Sequence, residues 1–229
     1  MFNKYKYMYT ITIIYNMRNF VSLNIEKFTS SNLKEICFYQ HGGLISYYQK
    51  KYPQKKIIDF SVNLNPMGDP FKNKLLNYKS IINKTLKYIS QYPDVYYNEL
   101  KSCICKYMNI KNISKENIIV GNGSTEIINL FCSCYLKSID TVIIINPTFS
   151  EYEHFCKIQG AKIIYINEKD ILNISIDLLK LSKIVFLCNP NNPTGYYYKK
   201  ESLINFIKKC LYFETIVFID EAFMELTKY

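Results

Sequence analysis

The sequence predicts an α/β fold of three layers, in which a mostly parallel sheet lies between two layers of helices. Short apolar runs, each long enough for one buried strand, alternate with segments that have helical periodicity. Polar or turn-forming residues follow most of these runs, as is typical of strands that end at a ligand-binding edge. The predicted strands are 56–61, 117–120, 141–145, 162–166, 183–188 and 215–219.

The first part of the chain has the weakest pattern. Residues 1–36 show no clear periodicity and are expected to form an irregular N-terminal extension, so that one domain covers residues 37–229. Within that domain the run 56–61 predicts a short strand. The segment 65–70 contains Asn, Gly and two Pro residues, which predict a turn. Residues 96–107 are expected to form a helix.

From residue 117 the alternation becomes regular. The run 117–120 predicts a strand, 121–123 a tight turn and 124–135 a helix with an apolar side. The run 141–145 is apolar throughout its second to fifth residues, as expected of a strand that is buried on both faces.

The same alternation continues to the end of the chain. Gly160 is expected to act as the C-cap of a helix over 149–159. The remaining elements follow in this order: strand 162–166, helix 178–181, strand 183–188, loop 189–195, helix 201–212 and strand 215–219, which ends at Asp220.

Composition excludes several classes of function. The formal net charge is +10, but the lysines are spread along the chain, which favours attraction to phosphorylated small molecules over nucleic-acid binding. None of the 8 cysteines has zinc-site spacing. A reduced, cytoplasmic protein fits this cysteine pattern better than a disulfide scaffold. No apolar run approaches the roughly 20 residues that cross a bilayer, so no membrane role is expected.

The segment Gly121–Glu126 joins a predicted strand to a helix. Its glycines allow a tight turn, and the first N–H groups of the helix are free to bind an anion. Ser124 and Thr125 could add hydroxyl hydrogen bonds, so the segment is interpreted as a phosphate-binding turn. The alternative is an ordinary helix start with Ser124 as its N-cap.

Two further strand ends carry polar residues. The loop Asn189–Gly195 is rich in turn formers, and Asn192 could bond a ring hydroxyl. Asp220 follows an apolar strand, where a carboxylate is costly unless a cation meets it. A protonated pyridine nitrogen would be such a cation; a helix N-cap or a pair with a structural lysine are the alternatives.

These strings resemble a known family. Together they are similar to the aminotransferase class I and II superfamily and, within it, to threonine-phosphate decarboxylases, with histidinol-phosphate aminotransferases as close relatives. The resemblance covers about residues 40–226. It rests on the segments 41–43, 59–68, 92–94, 121–126, 147–152, 189–195 and 220–223.

The resemblance implies the large domain of a fold-type-I enzyme that uses pyridoxal 5'-phosphate. It assigns the phosphate of that cofactor to the helix start at residue 123, a ring-stacking role to Phe149 and a contact with the ring 3-hydroxyl to Asn192. It pairs Asp220 with the pyridine nitrogen. The residues that it places at the cofactor are Gly123, Ser124, Thr125, Phe149, Asn192, Asp220 and, from the neighbouring subunit of a homodimer, Tyr92.

The resemblance also implies a phosphorylated amino-acid substrate, L-threonine O-3-phosphate, which would be decarboxylated to an aminopropanol phosphate. His41, Gly42 and Gly43 would lie at the substrate phosphate, and Asn65 near the substrate carboxylate. A histidinol-phosphate transaminase is the alternative.

The sequence departs from the family pattern at two places. Phe223 stands where histidinol-phosphate aminotransferases tend to have a tyrosine, which favours the decarboxylase interpretation. The family's Schiff-base lysine lies a few dozen residues beyond the Asp-Glu-Ala-Phe string, whereas this chain ends at Tyr229. Lys228 follows Asp220 too closely to fill that role, so we expect an incomplete large domain with no catalytic lysine. A non-catalytic remnant is therefore a further alternative.

Overall fold

The computed structural model describes most of the chain from residue 31 onward, and the predicted N-terminal extension falls mainly outside it. The residues described are 31–34, 42–64, 67–68, 78–86, 88–109 and 113–227.

Eight helices and four strands are present in these ranges. The helices are α1 (Ser31–Lys34), α2 (Ile45–Lys51), α3 (Tyr78–Leu86), α4 (Asn98–Met108), α5 (Gly123–Tyr135), α6 (Ser150–Ile158), α7 (Ile176–Leu181) and α8 (Lys200–Tyr212). The strands are β1 (Thr141–Asn146), β2 (Lys162–Asn167), β3 (Ile184–Cys188) and β4 (Ile216–Asp220).

The four strands form one parallel sheet in the order β2-β1-β3-β4. Each connection between successive strands contains a helix, because parallel neighbours need a crossover that returns the chain to the starting edge. The register brings Cys188 of β3 opposite Asp220 of β4. The carboxyl ends of these two strands therefore lie side by side.

Helices cover both faces of this sheet. On β1, Val142 and Ile144 pack into one core with α5 and α6, whereas Ile143 and Ile145 pack into a second core with α7 and α8. Since successive side chains of a strand point to opposite faces, a run that is apolar at every position is buried on both. The three-layer α/β/α prediction is thus confirmed.

Ile143 offers a direct test of the second core. The side chain has 0% exposure. We expect Ile143→Val to lower the free energy of unfolding by about 1 kcal/mol, because one buried methylene is lost and the cavity closes only in part. Urea denaturation followed by circular dichroism measures this change. Ile139→Val is the matched control, since Ile139 is 86% exposed. If Ile139→Val lowers the free energy of unfolding as much as Ile143→Val does, the placement of Ile143 in the second core is contradicted.

Most of the predicted elements occur within a few residues of their predicted bounds. The helix predicted at 96–107 is α4, and the short helix predicted at 178–181 is the end of α7, whose N-cap Ser175 accepts a hydrogen bond from the Leu178 N–H. Gly160 follows α6 with a φ of +73°, and its N–H bonds the Lys157 carbonyl, as expected at a C-cap.

Two predicted strands are wrong. Residues 56–61 and 118–120 are outside any sheet, and Asn117 belongs to a 3₁₀ turn. Ile58 is 68% exposed and Ile119 is 78% exposed. An apolar run becomes a strand only when a neighbouring backbone supplies the ladder of hydrogen bonds, and no described segment pairs with either run.

Four of the cysteines are buried in these cores: Cys132, Cys156, Cys188 and Cys210. Cys132, on α5, is a small buried thiol with 0% exposure. Within the described ranges, none of the helices combines the length and the apolar character that a bilayer crossing requires.

Candidate functional site

The strand order has a topological switch point between β1 and β3, where parallel α/β sheets commonly have a ligand-binding crevice. The chain leaves β1 toward β2 on one side and then returns to form β3 on the other side, and the helices that follow β1 and β3 lie on opposite faces of the sheet. Ligands of parallel α/β sheets bind in such a crevice, outside the carboxyl ends of the strands. The loop 147–149 follows β1, and the loop 189–195 follows β3. Two of the motifs that the sequence singled out therefore follow the strands on either side of this switch point.

Asn191 ties these loops together. The residue has 2% exposure, and its Oδ1 accepts a hydrogen bond of 2.7 Å from the Thr148 hydroxyl. Its Nδ2 lies 2.8 Å from the Pro147 carbonyl, 2.8 Å from Thr194 Oγ1 and 3.1 Å from the Glu168 carboxylate. One side chain thus joins the loops that follow β1, β2 and β3. Asn191 was not singled out from the sequence, because its neighbour Asn192 carries the motif resemblance.

The base of the same loop is fixed by a second asparagine. Asn189 has 1% exposure; its Oδ1 accepts from the Tyr198 backbone N–H at 2.9 Å, and its Nδ2 donates to the Tyr198 carbonyl at 3.2 Å. The Tyr198 hydroxyl donates to the Glu168 carbonyl at 2.6 Å. Asn192 lies between these anchors and is half-buried. Its backbone is therefore held between two fixed points of the loop.

Asp220 is a buried carboxylate with neutral donors around it. It has 8% exposure, its Oδ2 accepts from the Tyr152 hydroxyl at 2.7 Å, and its Oδ1 accepts from the Ala222 N–H at 3.0 Å. Its carbonyl accepts from the Asn189 N–H at 2.9 Å, which joins the ends of β3 and β4. Throughout the described ranges, no basic side chain forms an ion pair with Asp220. Because a buried charge is costly without a cation, this carboxylate suits a cationic ligand.

Tyr152 is the second residue that the sequence analysis missed. It lies on α6 with 0% exposure and stacks on Phe186 at 5.5 Å between ring centroids, with 21° between the planes. Its ring also meets Phe149 edge to face at 5.8 Å. Burial, together with the nearby Cys188 thiol and Asp220 carboxylate, raises the pKa of Tyr152 well above its ordinary value. The phenol therefore remains a proton donor at physiological pH.

The start of α5 approaches the same edge of the sheet. Only five residues separate the end of α5 from the first residue of β1, so the helix runs back along the sheet and its N-terminus lies toward the strands' carboxyl ends. The helix begins at Gly123, whose φ of +81° favours glycine. Ser124 is thus inside the helix, and the alternative that made it the N-cap is wrong. Gly123, Ser124 and Thr125 are exposed.

The residues expected at the substrate are only partly described. His41 and Asn65 lie outside the described residues, as does Lys228. Gly42 and Gly43 pack against Ser61: a side chain on Gly42 would come within 2.2 Å of the Ser61 carbonyl, and the Gly43 N–H donates to the Ser61 hydroxyl at 3.0 Å. The Gly43 amide is therefore already engaged.

Tyr92, which the resemblance assigns to a neighbouring subunit, is 89% exposed. It lies in the irregular segment before α4. Its side chain is thus open to solvent within one chain.

Comparison with known proteins gives the family. The sequence profile of the family "Aminotransferase class I and II" matches residues 55–228. The chain belongs to this family. Members of the family use pyridoxal phosphate.

Three relatives illustrate the similarity. The chain is 34% identical over 204 residues to "Histidinol-phosphate aminotransferase 2" of Oceanobacillus iheyensis, covering 84% of this chain and 52% of that protein. The structure of the histidinol-phosphate aminotransferase from Clostridium acetobutylicum matches with a TM-score of 0.62 and 33% identity, over 74% of this chain and 48% of the other. A decarboxylase from Sulfurospirillum multivorans matches with a TM-score of 0.64 and 25% identity, over 90% of this chain and 53% of the other.

The chain spans about half the length of the curated family members that it matches. The half that it shares with them contains the parallel sheet and the strand-end loops. The residues at those loops fit the family's cofactor in one testable respect: the buried Asp220 carboxylate has neutral donors on both oxygens and no basic partner among the described residues. A protonated pyridine ring would supply the missing positive charge.

Proposed function

We propose that the crevice at the carboxyl ends of β1, β3 and β4 binds pyridoxal phosphate for chemistry on a phosphorylated amino-acid substrate. The observation that carries this proposal is the burial of Asp220 without a basic partner in the described part of the chain. When bound, the pyridine ring of this cofactor draws electrons from a bond at the substrate α-carbon. The family membership supports the cofactor class.

Each strand-end group then has a specific task. Asp220 would keep the ring nitrogen protonated, because a carboxylate at hydrogen-bond distance favours the charged form of its partner. Asn192 would donate its amide N–H to the ring hydroxyl, and Phe149 would offer a flat apolar face to the ring. The start of α5, with Gly123, Ser124 and Thr125, would bind the cofactor phosphate through backbone and hydroxyl donors.

Further parts of the proposal concern the whole protein. Residues 37–229 would form part of the family's large domain, and Tyr92 would reach the cofactor phosphate of a partner subunit in a homodimer. His41, Gly42, Gly43 and Asn65 would contact the substrate. We also propose a cytoplasmic location, which agrees with the buried, unpaired thiols of the two cores.

For the reaction we propose decarboxylation of L-threonine O-3-phosphate. Phe223, three residues after Asp220, is half-buried beside the site and lacks the hydroxyl with which a tyrosine could bond the cofactor ring. The similarity to a decarboxylase over 90% of the chain is compatible with this choice. Which bond at the α-carbon breaks depends on how the substrate is held relative to the ring.

Transamination of histidinol phosphate is the second candidate. The observation in its favour is the 34% identity to a histidinol-phosphate aminotransferase, together with the same name on two further curated relatives. Both substrates carry an amine and a phosphate, so both agree with the basic character of the chain.

Binding of reduced adducts tests the substrate. The probes are phosphopyridoxyl-threonine phosphate and phosphopyridoxyl-histidinol phosphate, which are stable amines that need no covalent bond to the protein. We expect the threonine-phosphate adduct to bind about tenfold more tightly than the histidinol-phosphate adduct. The loss of one matching contact in a pocket costs ~1.4 kcal/mol of binding free energy, which corresponds to this factor. Isothermal titration calorimetry measures both affinities. The reverse order would favour the transaminase, and failure of both adducts to bind would contradict the proposed cofactor site.

A further inference from the structure

A single tyrosine connects two of the proposed cofactor contacts. Tyr152 donates its hydroxyl hydrogen bond to Asp220, which would face the ring nitrogen, and packs its ring edge to face with Phe149, which would face the ring plane. The link spans 68 residues of sequence and is buried. The geometry of the fold, and not the local sequence, therefore creates this contact.

Packing fixes the position of the phenol. Tyr152 has no exposed surface, and Phe186 stacks against its ring while Phe218 approaches it at 6.3 Å between centroids. A ring held between aromatic neighbours on the sheet cannot turn without opening the core. The hydroxyl is consequently aimed at one oxygen of Asp220, at 2.7 Å.

The two oxygens of Asp220 have separate donors. Tyr152 bonds Oδ2, and the Ala222 N–H bonds Oδ1 at 3.0 Å. Among the residues that the structure describes, the Cys188 thiol on β3 is the other titratable group that faces this cluster, and it donates to the Pro190 carbonyl at 3.2 Å. A carboxylate oxygen accepts more than one hydrogen bond, so each oxygen keeps a free lone pair for a cation. The Tyr152 hydroxyl and the Ala222 N–H thus orient the carboxylate, but they do not supply the positive charge of a cation.

We propose that Tyr152 is a positioning residue that orients the Asp220 carboxylate toward the cofactor ring nitrogen. A hydrogen bond donated to a carboxylate favours its charged form, and a charged carboxylate keeps the shared proton on the pyridine nitrogen. Removal of the hydroxyl removes this bias while the ring remains in the core. The inference rests on the proposed function, since it requires the pyridine ring to lie at Asp220.

Binding of pyridoxamine phosphate, labelled with ¹⁵N in the ring, tests the inference. This probe needs no lysine for attachment. We expect Tyr152→Phe to weaken its binding about tenfold, since one hydrogen bond to a charged group is lost. We also expect the ¹⁵N chemical shift of the bound ring nitrogen to move toward the unprotonated value. A purely structural role for Tyr152 would not move that shift.

The matched control is Tyr198→Phe, which removes another buried tyrosine hydroxyl, the donor to the Glu168 carbonyl. It is expected to change thermal stability but to leave the ¹⁵N shift as in the original protein. The same ¹⁵N shift and affinity in Tyr152→Phe as in the unaltered chain would overturn the inference. Absence of probe binding by the unaltered chain would instead remove the proposed function, and the inference with it.

A measurement on the unaltered chain covers the case in which Tyr152→Phe does not fold. A phenol that donates to a buried carboxylate gives a slowly exchanging, downfield hydroxyl proton in the ¹H spectrum. We expect this resonance before and after pyridoxamine phosphate is added. Loss of this resonance on addition of the probe would mean that the ligand replaces Tyr152 as the hydrogen-bond partner of Asp220. That result would overturn the positioning role.

Discussion

Asp220→Ala is expected to weaken the binding of pyridoxamine phosphate about a hundredfold, because truncation of one partner of a buried, hydrogen-bonded charge pair costs roughly 2–5 kcal/mol. The Asp220 carboxylate is the proposed partner of the ring nitrogen. Among the described residues at the end of β4, no other acidic side chain is buried. Isothermal titration calorimetry at neutral pH measures the change. The variant also leaves the Tyr152 hydroxyl without its acceptor, so its thermal unfolding should be recorded alongside.

Asp140→Ala is the matched control for Asp220→Ala. Asp140 pairs with Lys183 at 2.9 Å and precedes β1, so it lies at the opposite end of the sheet from the proposed site. We expect this variant to lose some stability and to bind the probe as the unaltered chain does. Equal losses of affinity in the two variants would show that the effect comes from general destabilisation, which would contradict a specific role for Asp220.

The layered fold could be predicted from the sequence because residues 142–145 of β1 and all of β3 are apolar and buried. Each of these strands divides its side chains between two cores, as Ile143 and Ile144 show. A strand with that pattern needs helices on both faces, and the helical segments that follow supply them. The strand order was not predictable from the pattern, because no local feature states on which side of β1 the chain returns.

The strand predictions failed where pairing decides the structure. Residues 56–61 and 118–120 have the apolar character of strands, yet they lie outside the sheet. Ile118 even has extended backbone angles, with φ −114° and ψ 127°. Extended geometry and apolar side chains are therefore insufficient, since a strand is defined by a neighbour that completes its hydrogen bonds.

The candidate site was predictable in its motifs but not in its supports. Asp220 and Asn192 have roles that their strings imply. Tyr152 and Asn191 stand in such strings as well, but their roles come from contacts with residues 68 and 44 positions away. A weak signal for Tyr152 did exist, because a tyrosine on a buried helix face needs a partner for its hydroxyl. The sequence could not name that partner before the register of β3 and β4 was known.

Asn191 and Asn192 are adjacent, yet their replacement by alanine should have different effects. Asn191→Ala is expected to lower the free energy of unfolding by about 3 kcal/mol, because it leaves buried polar groups of several loops without partners. Among them are the Pro147 carbonyl and the Thr148 hydroxyl. Urea denaturation measures this loss, and the tie between the loops makes a moderate loss of probe affinity an expected consequence.

Asn192→Ala is the matched partner of that experiment. Since Asn192 is half-buried at the crevice, its variant should unfold within about 0.5 kcal/mol of the unaltered chain. Its affinity for pyridoxamine phosphate should fall about tenfold, because one hydrogen bond to the ring hydroxyl is lost. A stability loss confined to Asn192→Ala, with Asn191→Ala unchanged, would reverse the two roles. The loop would then be held together by the residue that we assign to the ligand, and the crevice between β1 and β3 would lose its proposed architecture.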